Sequence, residues 1–179
     1  EEAVARAHGR RLVAHQCTTA DQVAEAVSGA DVVFVNLAPV TREAIGRMQP
    51  GAVLIRYGIG VDNVDIDAAA DHGVRVCNVP DYGADTVADH AVACLLSLLR
   101  RTGPYTEAVR SRGWLAAAEL GPIRGFPETT VGLLGLGRIG RSVAVRLRAF
   151  GFEILGSDPF ADRSWADDAG VEQIGRAHV

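Results

Sequence analysis

The residues best suited to chemistry lie in "VGLLGLGRIGRSVAVRLRAFGFEILGSDP" (Val131–Pro159). Gly135, Gly137 and Gly140 spell G-x-G-x-x-G at the end of an apolar run, "TTVGLL", that reads as a strand. Ile139, Val143 and Leu147 then recur at helical spacing, and "FEILGSDP" reads as a second strand ending at Asp158. In such a unit each glycine has a task. Gly135 permits a tight turn, Gly137 lets backbone approach a pyrophosphate, and Gly140 lets helix and strand pack closely. The helix start at Arg138 offers unpaired amides and a positive dipole end to phosphates, whether or not the arginine side chain does more than meet solvent. Asp158, 18 residues after Gly140, is placed to accept hydrogen bonds from adenosine ribose hydroxyls. A carboxylate there would repel the extra phosphate of NADP, so NAD is the expected cofactor. The alternative is a structural strand–turn–helix in some other α/β fold.

The elements that must position this unit follow a β-α-β-α rhythm. "RLVAH" (Arg11–His15), "DVVFVN" (Asp31–Asn36), "AVLIRY" (Ala52–Tyr57) and "VRVCNV" (Val74–Val79) read as strands. Between them, "TADQVAEAVSGA" reads as a helix with Thr19 as N-cap and Gly29 as its stop; "TREAIGRM" and "DIDAAADHG" read as shorter ones. Continuous apolar strands predict a parallel sheet with helices on both faces. "DTVADHAVACLLSLLRR" (Asp85–Arg101) is apolar nearly all round and predicts a helix buried between two bodies. A more polar helix, "TGPYTEAVRSRGW", and a Gly/Pro-rich loop, Glu119–Thr130, lead into the glycine unit.

Composition narrows the function classes. The 179 residues are 48% hydrophobic and 22% charged, with 20 glycines, as in ordinary globular chains. Against 22 acidic residues stand 18 basic ones, a net charge of −4, which gives no footprint for nucleic acid or an anionic membrane. No apolar run is long enough to span a bilayer. Cys17, Cys77 and Cys94 lack metal-ligand spacing and are expected to be buried thiols in a reducing cytoplasm. The last six residues, Ile174–Val179, are those that a common sequencing adapter encodes in one frame, and natural sequence is expected to end near Glu172.

Two blocks, "RYGIGVDNVDIDAAADHGVRVCNVPDYGADTVADHAVACLLSLLRR" and "TVGLLGLGRIGRSVAVRLRAFGFEILGSDP", resemble the D-isomer-specific 2-hydroxyacid dehydrogenases. The first is similar to that family's R-x-G-x-G-x-D-N loop, N-x-P turn and interdomain helix, the second to its cofactor signature. The D-3-phosphoglycerate dehydrogenases and the corepressor-like C-terminal-binding-protein branch are the nearest groups. The resemblance implies an α/β chain with a flavodoxin-like substrate domain over residues 1–101, lacking its first strand. The beginning of a Rossmann NAD-binding domain would follow over residues 102–173, with residues 174–179 as a non-native tail.

By position, the resemblance implies that backbone amides of Ile59 and Gly60 face the carboxylate of a 2-hydroxy or 2-keto acid. A backbone nest binds anions without a charged side chain. Arg56 would assist electrostatically or form an ion pair at the strand end. Tyr82 would lie near substrate or serve as a half-buried packing aromatic. Arg138 and Ile139 would contact the pyrophosphate, Asp158 the ribose. Asp62 and Asn63 are read as turn-shaping residues, His90 as a satisfied core histidine and His72 as a helix C-terminal residue favoured by the dipole. The family's catalytic arginine, glutamate and histidine are expected downstream, so no catalytic residue is assigned within the chain, and no metal ligand. The parent protein is expected to be a cytoplasmic NAD-dependent dehydrogenase that dimerises through its NAD-binding domain. A non-enzymatic NAD-sensing corepressor-like protein of the same fold is the first alternative, and a dinucleotide-binding enzyme of the alanine-dehydrogenase or homocysteinase type the second.

Overall fold

The computed structural model describes residues 1–175. Its contacts divide the chain into two compact units, Glu1–Tyr82 and Gly83 onward. The division falls ahead of the long apolar helix, whereas the sequence suggested that it falls after it.

The first unit starts with helix α1 (Glu2–Ala7), followed by α2 (Ala20–Ala26), β1 (Val32–Val35), α3 (Arg42–Gly46), β2 (Val53–Arg56), α4 (Ile66–Asp71) and β3 (Arg75–Cys77). Thr19 caps α2 in a reciprocal box with Gln22, and Asp65 caps α4 by accepting from the Ala68 amide at 2.8 Å. Gly29 and Gly73 adopt φ of +72° and +67° just past helices, where a side chain would strain the backbone. Arg11–His15 forms no strand. Val13 is exposed, and three adjacent apolar residues flanked by arginine and histidine gain too little from burial to compete with solvation.

The three strands are parallel in the order β1-β2-β3, with Val33 opposite Leu54 and Leu54 opposite Val76. Val35 and Leu54 on this face join Ile45, Ala68 and Val40 in the core, and Leu54 is fully buried. Removing one such leucine from water contributes roughly 1.5–3 kcal/mol. The other face is open: Val32 and Phe34 are 51% and 45% exposed, and Phe34 stacks on Tyr57 with ring centroids 5.5 Å apart. The two-sided covering expected from the apolar runs is therefore absent among the described residues. A right-handed crossover that always steps to the next strand in one direction places every connecting helix on the same face.

The second unit repeats the arrangement. It contains α5 (Ala84–Leu99), α6 (Thr102–Arg112), two short 3-10 turns, β4 (Thr130–Leu134), α7 (Arg138–Ala149), β5 (Glu153–Ser157), α8 (Arg163–Asp168) and β6 (Glu172–Gln173). The strands are parallel in the order β4-β5-β6. Leu136, Leu147 and Ile154 form the core with Ala88 and Val92 of α5, while Leu134 on the far face of β4 is 73% exposed. Of the helix expected to be buried all round, only the stripe through Ala88 and Val92 is fully buried; Leu98 is 77% exposed. Arg146 ties α5 to α7 by donating to Asp85 at 3.2 Å and to Asp89 at 2.5 Å.

Two elements were not read from the sequence. Helix α8 is capped by Asp162, which accepts from the Ser164 amide at 3.0 Å, and β6 adds a third strand. The amide of Ile174 continues that pairing by donating to Gly156 at 2.9 Å; the rest of the expected non-native tail, from residue 176, lies outside the described residues. The cysteines are free; Cys17 packs half-buried against the core, but Cys77, on the open face of β3, and Cys94, on the outer side of α5, are not buried as expected. No described helix is long and apolar enough to cross a membrane.

Candidate functional site

The glycine-rich turn leaves β4 with its last ladder bond from the Gly135 amide to Ser157 at 2.9 Å. Gly135 then turns with φ of +96°, a conformation that side chains rarely adopt. A Cβ on Gly140 would collide with the Gly135 carbonyl oxygen, so the first turn of α7 can close on β4 only with glycine there. Leu136, between the first two glycines, is buried at 1% exposure. It fits because Gly156 leaves room: a Cβ there would come within 2.8 Å of both Leu136 and Val171.

Gly137 differs from its neighbours. It has φ of −71° and ψ of −165°, open to any residue, and a Cβ on it would meet no atom within 4 Å. It is the N-cap of α7, no side chain caps the helix, and the amides of Arg138, Ile139 and Gly140 have no intrahelical acceptor. A pyrophosphate fits these residues: donors converge beside space that a side chain at Gly137 would fill.

Asp158 stands where the motif requires an acid, and its carboxylate is already engaged. Oδ2 accepts from the Leu136 amide at 2.7 Å, and Oδ1 accepts from the Phe160 amide at 2.8 Å. The bonds from Phe160 and Leu136, helped by the positive charge of Arg141, hold the carboxyl below its ordinary range against a smaller opposing effect of burial. A carboxylate has about four acceptor positions, so ribose hydroxyls can still bind to it. Arg141 itself donates from Nε to the Leu136 carbonyl at 3.0 Å and lies over the Trp165 ring, 4.6 Å from its centroid. Neither role was read from the sequence. Arg141 carries a signal, since it directly follows the last motif glycine; Trp165, on an unpredicted helix, carries none.

The first unit holds the other assigned residues, after β2. The Arg56 guanidinium packs against Gly58, whose φ of +151° and lack of a Cβ make room for it. Arg56 makes no ion pair among the described residues, and its Nε is buried without an acceptor. The amides of Ile59 and Gly60 have no acceptor among the described residues, leaving two adjacent donors. Their loop is held from behind: Asn78 Nδ2 donates to the Ile59 carbonyl at 2.7 Å, and the Val79 amide to the Gly58 carbonyl at 3.0 Å. Asn63 shapes the turn as expected but reaches further, donating to the carbonyls of Ala38 at 2.8 Å and Asn36 at 3.3 Å. Tyr82 is not half-buried; it is 69% exposed and, with Tyr57, Gly58 and Val79, lines an apolar depression of about 220 Å³.

His72 ends α4 with Nδ1 2.9 Å from the Ala68 carbonyl, in keeping with its position. His90 is not a core residue. It is exposed on α5, its Nε2 3.5 Å from Cys94 Sγ, because it lies outside the Ala88–Val92 stripe. Among the described residues no cluster of His, Cys, Asp or Glu is arranged to hold a metal.

The chain is 34% identical over 157 residues to the D-3-phosphoglycerate dehydrogenase of Methanocaldococcus jannaschii, which covers 87% of the chain and 30% of that enzyme. It is 39% identical over 132 residues to the D-3-phosphoglycerate dehydrogenase of Bacillus subtilis, covering 74% of the chain and 25% of the enzyme. The chain thus spans less than a third of the length of these relatives. Its fold matches that of D-lactate dehydrogenase from Aquifex aeolicus, solved with NAD and lactic acid, with a TM-score of 0.80 at 24% identity, over 96% of this chain and 52% of that one. The family model for the catalytic domain of D-isomer specific 2-hydroxyacid dehydrogenases matches residues 1–177, and the chain belongs to that family.

Proposed function

We propose that this chain is the substrate- and dinucleotide-binding part of an NAD-dependent oxidoreductase. The reaction moves a hydride between nicotinamide and C2 of a D-2-hydroxy acid or its 2-keto acid. The observation that carries this reading is the glycine turn, where Gly140 closes on Gly135, Gly137 keeps space open at the start of α7, and Asp158 closes β5. Bound NAD supplies a ring carbon that accepts or returns the hydride. The protein's own groups bind and orient. The amides of Arg138 and Ile139, with the α7 dipole, hold the pyrophosphate. Asp158 accepts from the ribose and disfavours a 2′-phosphate.

In the first unit the free amides of Ile59 and Gly60 hold the substrate carboxylate, and the Arg56 guanidinium adds positive charge behind them. Tyr82 and the apolar depression beside it contact the rest of the substrate. The first unit is then the substrate part and the second the dinucleotide part. The relatives make D-3-phosphoglycerate and D-lactate the first substrates to assay. We take the enzyme to be a cytoplasmic homodimer joined through its second unit around Thr102–Trp114; Trp114, 81% exposed, supports an interface there. Sedimentation equilibrium tests the dimer, and a monomer at micromolar concentration would reject it.

Calorimetric titration tests the main reading. NAD is expected to bind, with NADP at least about ten-fold weaker because of the carboxylate. Binding of neither dinucleotide would overturn the proposal, and a preference for NADP would overturn the role of Asp158.

A further inference from the structure

Leu136 is gripped on both sides. Its amide, in the peptide that joins it to Gly135, donates to Asp158, and its carbonyl, in the peptide that joins it to Gly137, accepts from Arg141. With its side chain buried as well, the residue has little freedom left to rotate. All described peptide bonds are trans, so carbonyl and amide of each peptide point in opposite directions. Holding the Leu136 carbonyl toward Arg141 therefore points the Gly137 N–H the other way, away from Arg141. Among the described residues nothing accepts from that amide, and a Cβ on Gly137 would meet no atom within 4 Å.

We propose that Arg141, seated over Trp165, is a positioning residue that aims the Gly137 amide at the cofactor phosphates. This rests on the dinucleotide reading above and adds to it the residues that orient the donor. Arginine suits the task for a geometric reason. Its Nε–H reaches back to the Leu136 carbonyl while its planar head lies over the indole, which also keeps the charge close to Asp158. A lysine keeps the charge but has no donor at the Nε position. Without Arg141 the Leu136–Gly137 peptide loses the bond that fixes its carbonyl, and a rotated peptide would present an oxygen, not a donor, to the phosphate.

The test separates aiming from mere support of the fold. ADP, which carries a pyrophosphate, and adenosine, which carries none, are titrated against the whole protein and its Arg141→Met and Arg141→Lys variants, with heteronuclear NMR following the Gly137 amide. Loss of one hydrogen bond to a charged group predicts that both variants bind ADP about ten- to a hundred-fold more weakly, with adenosine changed less than about two-fold. The Gly137 amide resonance should move on ADP addition in the parent and not in the variants. Trp165→Phe, which keeps a ring under the guanidinium, should retain most of the ADP affinity, and Trp165→Ala should lose it. Equal weakening of ADP and adenosine would mean that Arg141 only supports the fold and would overturn the proposal. Unchanged ADP affinity in Arg141→Met would overturn it outright. If Arg141→Met fails to fold, the comparison of the two Trp165 variants decides. Failure of the parent to bind ADP or NAD would reject the dinucleotide reading itself, and this inference with it.

Discussion

Replacing Gly140 by alanine puts one methyl group where the Gly135 carbonyl oxygen already lies, and the obstacle is backbone on both sides. Neither partner can yield by a change of rotamer. The first turn of α7 must move away from β4, and Leu147, fully buried further along the same helix, must move with it. Overpacking of this kind costs about 1–3 kcal/mol, and the rigidity of both partners puts the expectation at about 2 kcal/mol or more. For a unit of this size that is a fall in melting temperature of roughly 8–16 °C. Gly137→Ala supplies the control. Its backbone angles are open to alanine and its added carbon touches nothing, so the melting temperature should change by no more than the equivalent of about 0.5 kcal/mol. The same methyl group stands where the pyrophosphate would approach, so dinucleotide affinity should fall although the fold does not. Thermal unfolding followed by circular dichroism gives the first quantity and calorimetric titration with NAD the second. Equal melting temperatures for the two variants, or unimpaired NAD binding by Gly137→Ala, would refute the tasks assigned to these glycines.

Three further outcomes can be checked on the same preparations. Asp158 has its folded-state pKa lowered by bonds from Phe160 and Leu136, so its contribution to stability is present above the ordinary carboxylate value of 3.8 and is lost as pH falls through the lower folded value. Asp158→Asn, with one oxygen in place of two, should remove that part of the acid dependence in pH-jump unfolding and leave one of the two amides without its acceptor. Leu147→Ala, at a fully buried site between α7 and the sheet, should cost about 2–5 kcal/mol by denaturant unfolding. Asn63→Ala removes two bonds to the carbonyls of Asn36 and Ala38 and should cost about 1–2 kcal/mol, with faster amide exchange around Val40, whose own bond is to the Asn63 carbonyl.

What could be read from the sequence was local. The positive φ at Gly135, the helix stop at Gly29 and the Thr19 cap each depend on a few neighbouring residues, and types and spacing express them directly. The position of Asp158 was legible for the same reason, as one strand and one helix have predictable lengths. Its bond to Leu136 was not, because it joins residues 22 apart and depends on how β5 ends beside the turn. The stacking of Arg141 on Trp165 required a helix, α8, whose six residues show too little apolar periodicity to announce it. Strand order was also hidden. Val32 and Phe34 are as apolar as Val33 and Val35, so composition suggested helices on both faces where the connections place them on one. His90 and Cys94 were misjudged for a related reason: an apolar helix does not state which of its sides another element will meet.

The double engagement of Asp158 has a consequence for how cofactor preference can change in descendants of this protein. Its two oxygens hold the Leu136 amide and the turn at Phe160. A lineage that exchanged Asp158 for a small neutral residue would loosen its glycine-rich turn in the same step that removed the charge opposing a 2′-phosphate. On the proposed reading, the path to NADP use therefore needs a second substitution that first supplies another acceptor for Leu136, which would make a preference for NAD harder to lose than the acid alone would suggest.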